Sequence, residues 1–377
     1  MKLTNLSLVA VMAISSAFAG GDIAPVEPTV VVAPVVEAAA CNSNTTINGK
    51  AQLYSYTWDA SGDLDWYEGA SSALGAAVTL DVSHKITDNI TANFTAVGFT
   101  NLTNNYMEGK ETGAFLNVAN ITATYGGTTA VLGRQILDTP MVKSFDWLLS
   151  PEAYEAYTIV NSSISNVTLV GSYIRTYRPI NSGDNFVELD GDNWTVGAAY
   201  SDAFDASVWY YNIDHGDYTQ VYADAGYDFG VASAAAQYVG TDYDAGEDST
   251  AFGIKVAASV AGIDLMAAYN SVDDNVASAV GTDGFYASSW NQVVAGNVYG
   301  DAYKFEAATE FSGLSATASY AYYENTIIDD DGYEFDLILG YGITDCISLD
   351  AIYSSTDYVA DGADEDNALE LIATYKF

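Results

Sequence analysis

The stretch NALELIATYKF, Asn367–Phe377, decides the fold. Leu369, Leu371, Ala373, Tyr375 and Phe377 share one parity, whereas Glu370, Ile372, Thr374 and Lys376 share the other. Alternate side chains of a strand point to opposite faces, so this segment has one apolar face ending in aromatic rings and one mostly polar face. The same period of two runs through GYEFDLILGY, where Tyr333, Phe335, Leu337, Leu339 and Tyr341 oppose Glu334 and Asp336. It recurs in ISLDAIYS, where Ile347, Leu349, Ala351 and Tyr353 oppose Ser348, Asp350 and Ser354. A helix would scatter those carboxylates around its circumference; a strand lines them up on one wall.

Towards the N-terminus, comparable segments begin near Leu314, Tyr303, Ile263, Phe252, Val231, Tyr218, Phe204, Trp194, Val167, Ala153, Ala130, Phe115, Ile90, Leu74 and Thr46. With the three already quoted they make about 18 strands, joined alternately by tight turns such as Gly126-Gly127 and by long segments such as Asp59 to Ser72, Pro179 to Asp192 and Ser271 to Asp301. In hydrocarbon every backbone amide must pair within the protein, so such strands can lie in lipid only as a closed cylinder. The expected fold class is all-β, a transmembrane antiparallel β-barrel with short periplasmic turns and long extracellular loops. Sixteen to eighteen strands would enclose water rather than a packed core.

Met1–Gly20, MKLTNLSLVAVMAISSAFAG, has a basic start at Lys2, an apolar run from Leu6 to Ile14 and the small-residue site Ala17-Phe18-Ala19. It is expected to be a secretory signal peptide, residues 1–19, cleaved after Ala19. The proline-bearing stretch 20–41 reads as a periplasmic linker and 42–377 as the barrel. The chain has 50 acidic and 11 basic residues and a formal net charge of -39, which argues against a nucleic-acid partner. Two cysteines, Cys41 and Cys346, stand before the first strand and at the start of the seventeenth, and barrel closure would bring both to the periplasmic rim as a disulfide candidate.

The polar parity assigns Lys255, Lys304, Glu306, Glu310, Glu334, Asp336, Asp350 and Glu370 to the lumen wall, and Arg175 and Arg178 to the outer end of the seventh strand. Carboxylates outnumber cations on that wall, so a cation-preferring aqueous channel is expected. The segment Leu132–Tyr157 breaks the alternation and carries Pro140 and Pro151. A loop over about 136–152 that folds inward would narrow the passage with Asp138, Lys143, Asp146, Glu152 and Glu155, and Arg134 at its root. Pairing of Arg134 and Arg178 with loop acids is the competing reading.

The opening MKLTNLSLVA, the run LGRQ-I-LDTP at Leu132–Pro140 and the closing LIATYKF resemble the OprD-like porins, in particular the campylobacter-type major outer-membrane porins. The resemblance implies an eighteen-stranded barrel in the bacterial outer membrane, a homotrimer, an inward third loop and passive diffusion of cations and small hydrophilic solutes. Family members with marked substrate preference use a longer row of lumen arginines, which this chain matches only with Arg134, Arg175 and Arg178.

No cofactor is expected. The loop acids Asp59, Asp63 and Asp65; Asp242, Asp244, Glu247 and Asp248; Asp329, Asp330 and Asp331; and Asp361, Asp364, Glu365 and Asp366 form oxygen-rich clusters that suit calcium or solvated loop tips. Calcium there would bridge loops, subunits or lipopolysaccharide phosphates, and outer-membrane lipid is the expected surrounding. His84 and His215 are the only histidines, and neither gathers a nucleophile and an orienting acid, so catalysis is not expected. A surface adhesin using the Ser271 to Asp301 segment, or a structural barrel without an open channel, is the alternative.

Overall fold

The computed structural model describes residues 44–60, 66–273, 275–326, 330–358 and 365–377. Residues 1–43, which hold the expected signal peptide, the expected linker and Cys41, lie outside the described residues, and so do the cleavage and disulfide expectations. Eighteen strands form one antiparallel sheet: β1 Thr45–Ala60, β2 Ser72–Thr87, β3 Ile90–Asn101, β4 Thr112–Tyr125, β5 Thr128–Gln135, β6 Ala153–Ile164, β7 Val167–Arg178, β8 Val187–Ser201 and β9 Asp205–Ile213. They continue as β10 Tyr218–Asp228, β11 Ser233–Tyr243, β12 Ser249–Val260, β13 Ile263–Asp273, β14 Asp301–Phe311, β15 Leu314–Asn325, β16 Asp330–Thr344, β17 Ile347–Asp357 and β18 Glu365–Lys376.

Each strand pairs with its neighbour in sequence, and β1 also pairs with β18, from Lys50 opposite Lys376 to Ala60 opposite Asp366. That pairing closes the cylinder and leaves no sheet edge. At one end the connections are two to four residues long; at the other they run from four to 27. A single 3-10 turn, Asp214–Gly216, is the one helical element among the described residues.

The alternation read from the sequence separates two environments. Phe252, Ile254 and Val256 of β12, Phe305 of β14 and Leu371 of β18 stay exposed, while Glu334, Asp336 and Glu370, one residue out of phase with such neighbours, are buried inside. An exterior of exposed Phe, Leu, Ile and Val is the reverse of a water-soluble surface and matches lipid. The expected start of the eighth strand at Trp194 is corrected to Val187: the strand continues past Glu188, Asp190 and Asp192 above the apolar band, which shortens the loop expected from Pro179 to Asp192.

Candidate functional site

Two of the long connections turn into the barrel. Loop 3, residues 136–152, folds back on itself, with Thr139 N–H donating to the Val142 carbonyl at 3.0 Å and Ser144 N–H to the Leu137 carbonyl at 2.8 Å. Lys143 Nζ lies 3.4 Å from Asp138 Oδ1 across this small hairpin. Its segment Val142–Lys143 runs parallel to Val280–Gly281 of loop 7, residues 274–300. The two backbones approach closely at Gly281, whose φ is +84° and where a Cβ would stand 1.9 Å from the Lys143 carbonyl oxygen. Only glycine fits there.

Leu137, Met141 and Val142 of loop 3 and Phe285, Ala287, Val294 and Val298 of loop 7 pack with Tyr211, Tyr222, Val239 and Tyr323 of the barrel wall in one apolar cluster. Much of the middle of the lumen is therefore filled by chain. Burying loop backbone creates polar groups in need of partners, and the inward carboxylates supply them. Glu334 accepts the backbone N–H of Asn291 at 2.6 Å and of Gln292 at 2.8 Å. Asp283, within loop 7, accepts from Ala295 N–H at 2.6 Å, Ser288 Oγ at 2.7 Å and Phe285 N–H at 3.1 Å, and burial pushes its carboxyl above the usual range. Glu370 accepts from the indole nitrogens of Trp147 in loop 3 and Trp290 in loop 7. Asp336 accepts from Ser319 Oγ at 3.0 Å, and Lys304 Nζ donates to the Ser288 carbonyl at 3.0 Å while lying 3.6 Å from Glu306.

Below these loops, towards the short turns, lies a cavity of about 400 Å³. Trp147, Leu148 and Trp290 form its roof, and its walls carry Asp146, Asp264, Glu310, Asp345 and Asp350 against Lys50 and Lys376. Five carboxylates against two ammonium groups make this chamber net negative. Confined charges of one sign raise the local concentration of counter-ions.

The residues singled out from sequence divide into three groups. Asp138, Lys143 and Asp146 do reach the lumen on loop 3, Glu310 and Asp350 line the lower chamber, and Lys255 stands inside with its Nζ 4.6 Å from the Tyr286 ring. A second group is inside but buried, comprising Glu334, Asp336, Glu370 and Lys304, together with Glu152 at the root of loop 3. Glu152 accepts from Tyr177 Oη, Phe145 N–H and Ile180 N–H, and burial raises its carboxyl above the usual range.

The third group is a correction. Arg134 shares parity with exposed Leu132, stacks 3.9 Å over Phe186 and sits opposite Glu155, whereas the inward neighbours Gln135 and Tyr154 are buried. Glu155 in turn lies 3.7 Å from Arg175. Arg175 is the extra residue of a bulge between Ile174 and Thr176 and is exposed beside Tyr173, so Arg134, Glu155 and Arg175 decorate the exterior rim rather than the passage. Arg178 is also not in the passage. It is fully buried, with Asn117 Oδ1 at 2.9 Å, Ser150 Oγ at 2.9 Å, the Gly183 carbonyl at 3.1 Å and Glu108 at 3.5 Å, and it also donates to the Pro151 carbonyl. It knits three outer loops to β4, and burial raises the Glu108 carboxyl even beside this guanidinium.

Among the described residues no three His, Cys, Asp or Glu side chains come together in a metal-holding group. Asp63, Asp65, Asp329, Asp361 and Asp364 of the acidic clusters lie outside the described residues. His84 bonds Thr45 and His215 accepts the Asp190 N–H, both at exposed positions.

Sequence reasoning missed loop 7, read as an external segment. Its signal was present: 276–300 holds one charged residue, Asp283, alongside Phe285, Tyr286, Trp290 and several valines, unlike the acidic loops that stay outside.

No family model matches the chain, and no curated protein matches it. Solved structures do. OpdK of Pseudomonas aeruginosa with vanillate superimposes with a TM-score of 0.76 at 13% identity, over 89% of this chain and 98% of that one. OccK9 (OpdG) of the same organism gives 0.75 at 16% identity, again over 89% and 98%. OccAB4 of Acinetobacter baumannii gives 0.73 at 14%, over the same shares. These neighbours are OprD/Occ outer-membrane porins, channels rather than enzymes, and at such identity the likeness establishes the fold.

Proposed function

We propose that this chain is an outer-membrane porin of the OprD-like kind, of the campylobacter-type branch by its LGRQ and LDTP patches, exported by its signal peptide and working as a homotrimer surrounded by outer-membrane lipid and lipopolysaccharide. It passes ions and small hydrophilic solutes by diffusion and prefers cations. The observation that carries this reading is a closed cylinder with an apolar exterior around a net-negative chamber. One neighbour is described with vanillate and another, OccK2 (OpdF), with glucuronate, both carboxylates. Here none of the three arginines faces the chamber: two stand on the exterior rim and one is buried among loops. Selection of carboxylates is therefore not carried over to this chain.

The test is reversal potential in planar bilayers under a potassium chloride gradient. A potential of the sign set by potassium supports the reading, and one set by chloride overturns the cation preference. Absence of unitary conductance from folded protein would leave a structural barrel. Analytical ultracentrifugation in detergent checks the trimer.

A further inference from the structure

Glu370 stands on the inner wall in β18, 2% exposed, and donors from three distant parts of the chain converge on it. Tyr54 Oη of β1 donates to Oε2. Trp147 Nε1 of loop 3 donates to the same oxygen at 3.1 Å, and Trp290 Nε1 of loop 7 donates to Oε1 at 2.9 Å. Indole has a single N–H and no acceptor, so one carboxylate consumes the whole hydrogen-bonding capacity of both rings. What the pair then offers the lower chamber is carbon and π surface, with the Asp146 carboxylate next to Trp147 in the same lining.

Carboxylate is the group this arrangement requires. Its two oxygens both accept, and each carries an indole. A glutamine would keep one acceptor and turn an NH2 towards the other ring, and a shorter acid would not reach both. The backbones of loops 3 and 7 are joined elsewhere, at Val142–Lys143 and Val280–Gly281, but the spacing of the Trp147 and Trp290 rings at the chamber roof is set by the width of one carboxylate.

Resting on the channel reading above, we propose that Glu370 is the positioning residue of the constriction: it latches Trp147 of loop 3 to Trp290 of loop 7, and the latched rings form an aromatic aperture that passes small cations and turns away bulky ones. Glu370 touches no permeating ion and acts through the two rings. Cations are stabilised over aromatic faces while carboxylates are not, so the aperture filters by charge as well as by size.

The experiment compares the full protein with Glu370→Ala, Glu370→Gln, Trp147→Phe, Trp290→Phe and the double Phe variant in planar bilayers, reading unitary conductance and the permeability of tetraethylammonium relative to potassium. Heat-modifiable gel mobility confirms that each barrel is folded. Glu370→Ala should raise conductance at least about twofold as the aperture widens and admit tetraethylammonium. Glu370→Gln should fall between, and each Phe variant should reproduce part of the effect. Adding the double Phe change to Glu370→Ala should add nothing, because residues acting through one contact are not additive. Folded Glu370→Ala and double Phe proteins with wild-type conductance and wild-type exclusion would overturn the proposal; if Glu370→Ala does not fold, the double Phe protein decides. If folded wild-type protein gives no unitary steps, the channel reading fails instead, and the latch is read by acrylamide quenching of tryptophan in liposomes. Greater quenching in Glu370→Ala then supports the latch, and unchanged quenching rejects it.

Discussion

The acids of the lumen wall have two fates. Glu334 and Glu370 sit at mid-height, buried and bonded to loop backbone or indole, whereas Glu310 and Asp350 share the inward parity but line the open chamber below. A carboxylate group and an inward direction are common to both pairs. Only what lies opposite differs: folded chain in the first case and solvent in the second. An inward carboxylate is thus an ion attractor or a structural acceptor according to where the loops settle, and substitutions at the two heights should separate these roles.

Glu334→Ala should have the largest effect. It strands the buried amides of Asn291 and Gln292, and each buried donor left without its acceptor costs about 1–3 kcal/mol. Loop 7 should become cleavable by protease while the barrel keeps its folded gel mobility; a resistant loop 7 would erase the distinction between the two heights. Arg178→Ala comes next, since it leaves Glu108 as a buried charge without its guanidinium, at a cost of about 3–5 kcal/mol. Chemical denaturation in detergent checks it, and Arg178→Lys should restore little because one ammonium cannot reach all the acceptors.

Glu310→Gln with Asp350→Asn should leave stability unchanged. It should lower the cation-to-anion permeability ratio by about twofold, an effect that fades in concentrated salt as screening shortens the reach of exposed charges. A ratio unmoved by this pair would place selectivity elsewhere. The smallest effect concerns pH. Burial raises the Asp283 carboxyl, so its contribution to loop 7 is fully present below the unfolded value of about 4 and is lost as pH rises through the higher folded value. Hydrogen exchange of loop 7 should show that slope, and Asp283→Asn should flatten it.

Strand parity was legible because lipid imposes it residue by residue: Leu371 outside and Glu370 inside follow from a period of two. A long loop after the fifth strand was legible from Pro140, Pro151 and the lost alternation, whereas its inward course came only with the porin resemblance. The outward side of Arg175 was legible from its shared parity with Tyr173; the one-residue bulge that follows Ile174 and reverses the sides of the residues after it was not, because it carries no composition signal. The burial of Glu334 and Glu370 was not legible either, and the pairing of Arg178 with a loop acid was legible only as one of two open readings. Each depends on contacts between segments far apart in sequence, Glu334 with Gln292 and Arg178 with Glu108, which no local pattern encodes.

The seam between β1 and β18 carries a consequence for assembly. Lys50 meets Lys376 there, so the first strand keeps a raw edge until the last has been delivered. Until that moment the nascent sheet is a sticky template for other chains. The rate of ring closure, rather than the making of any one hairpin, therefore governs how long the chain stays at risk of aggregation.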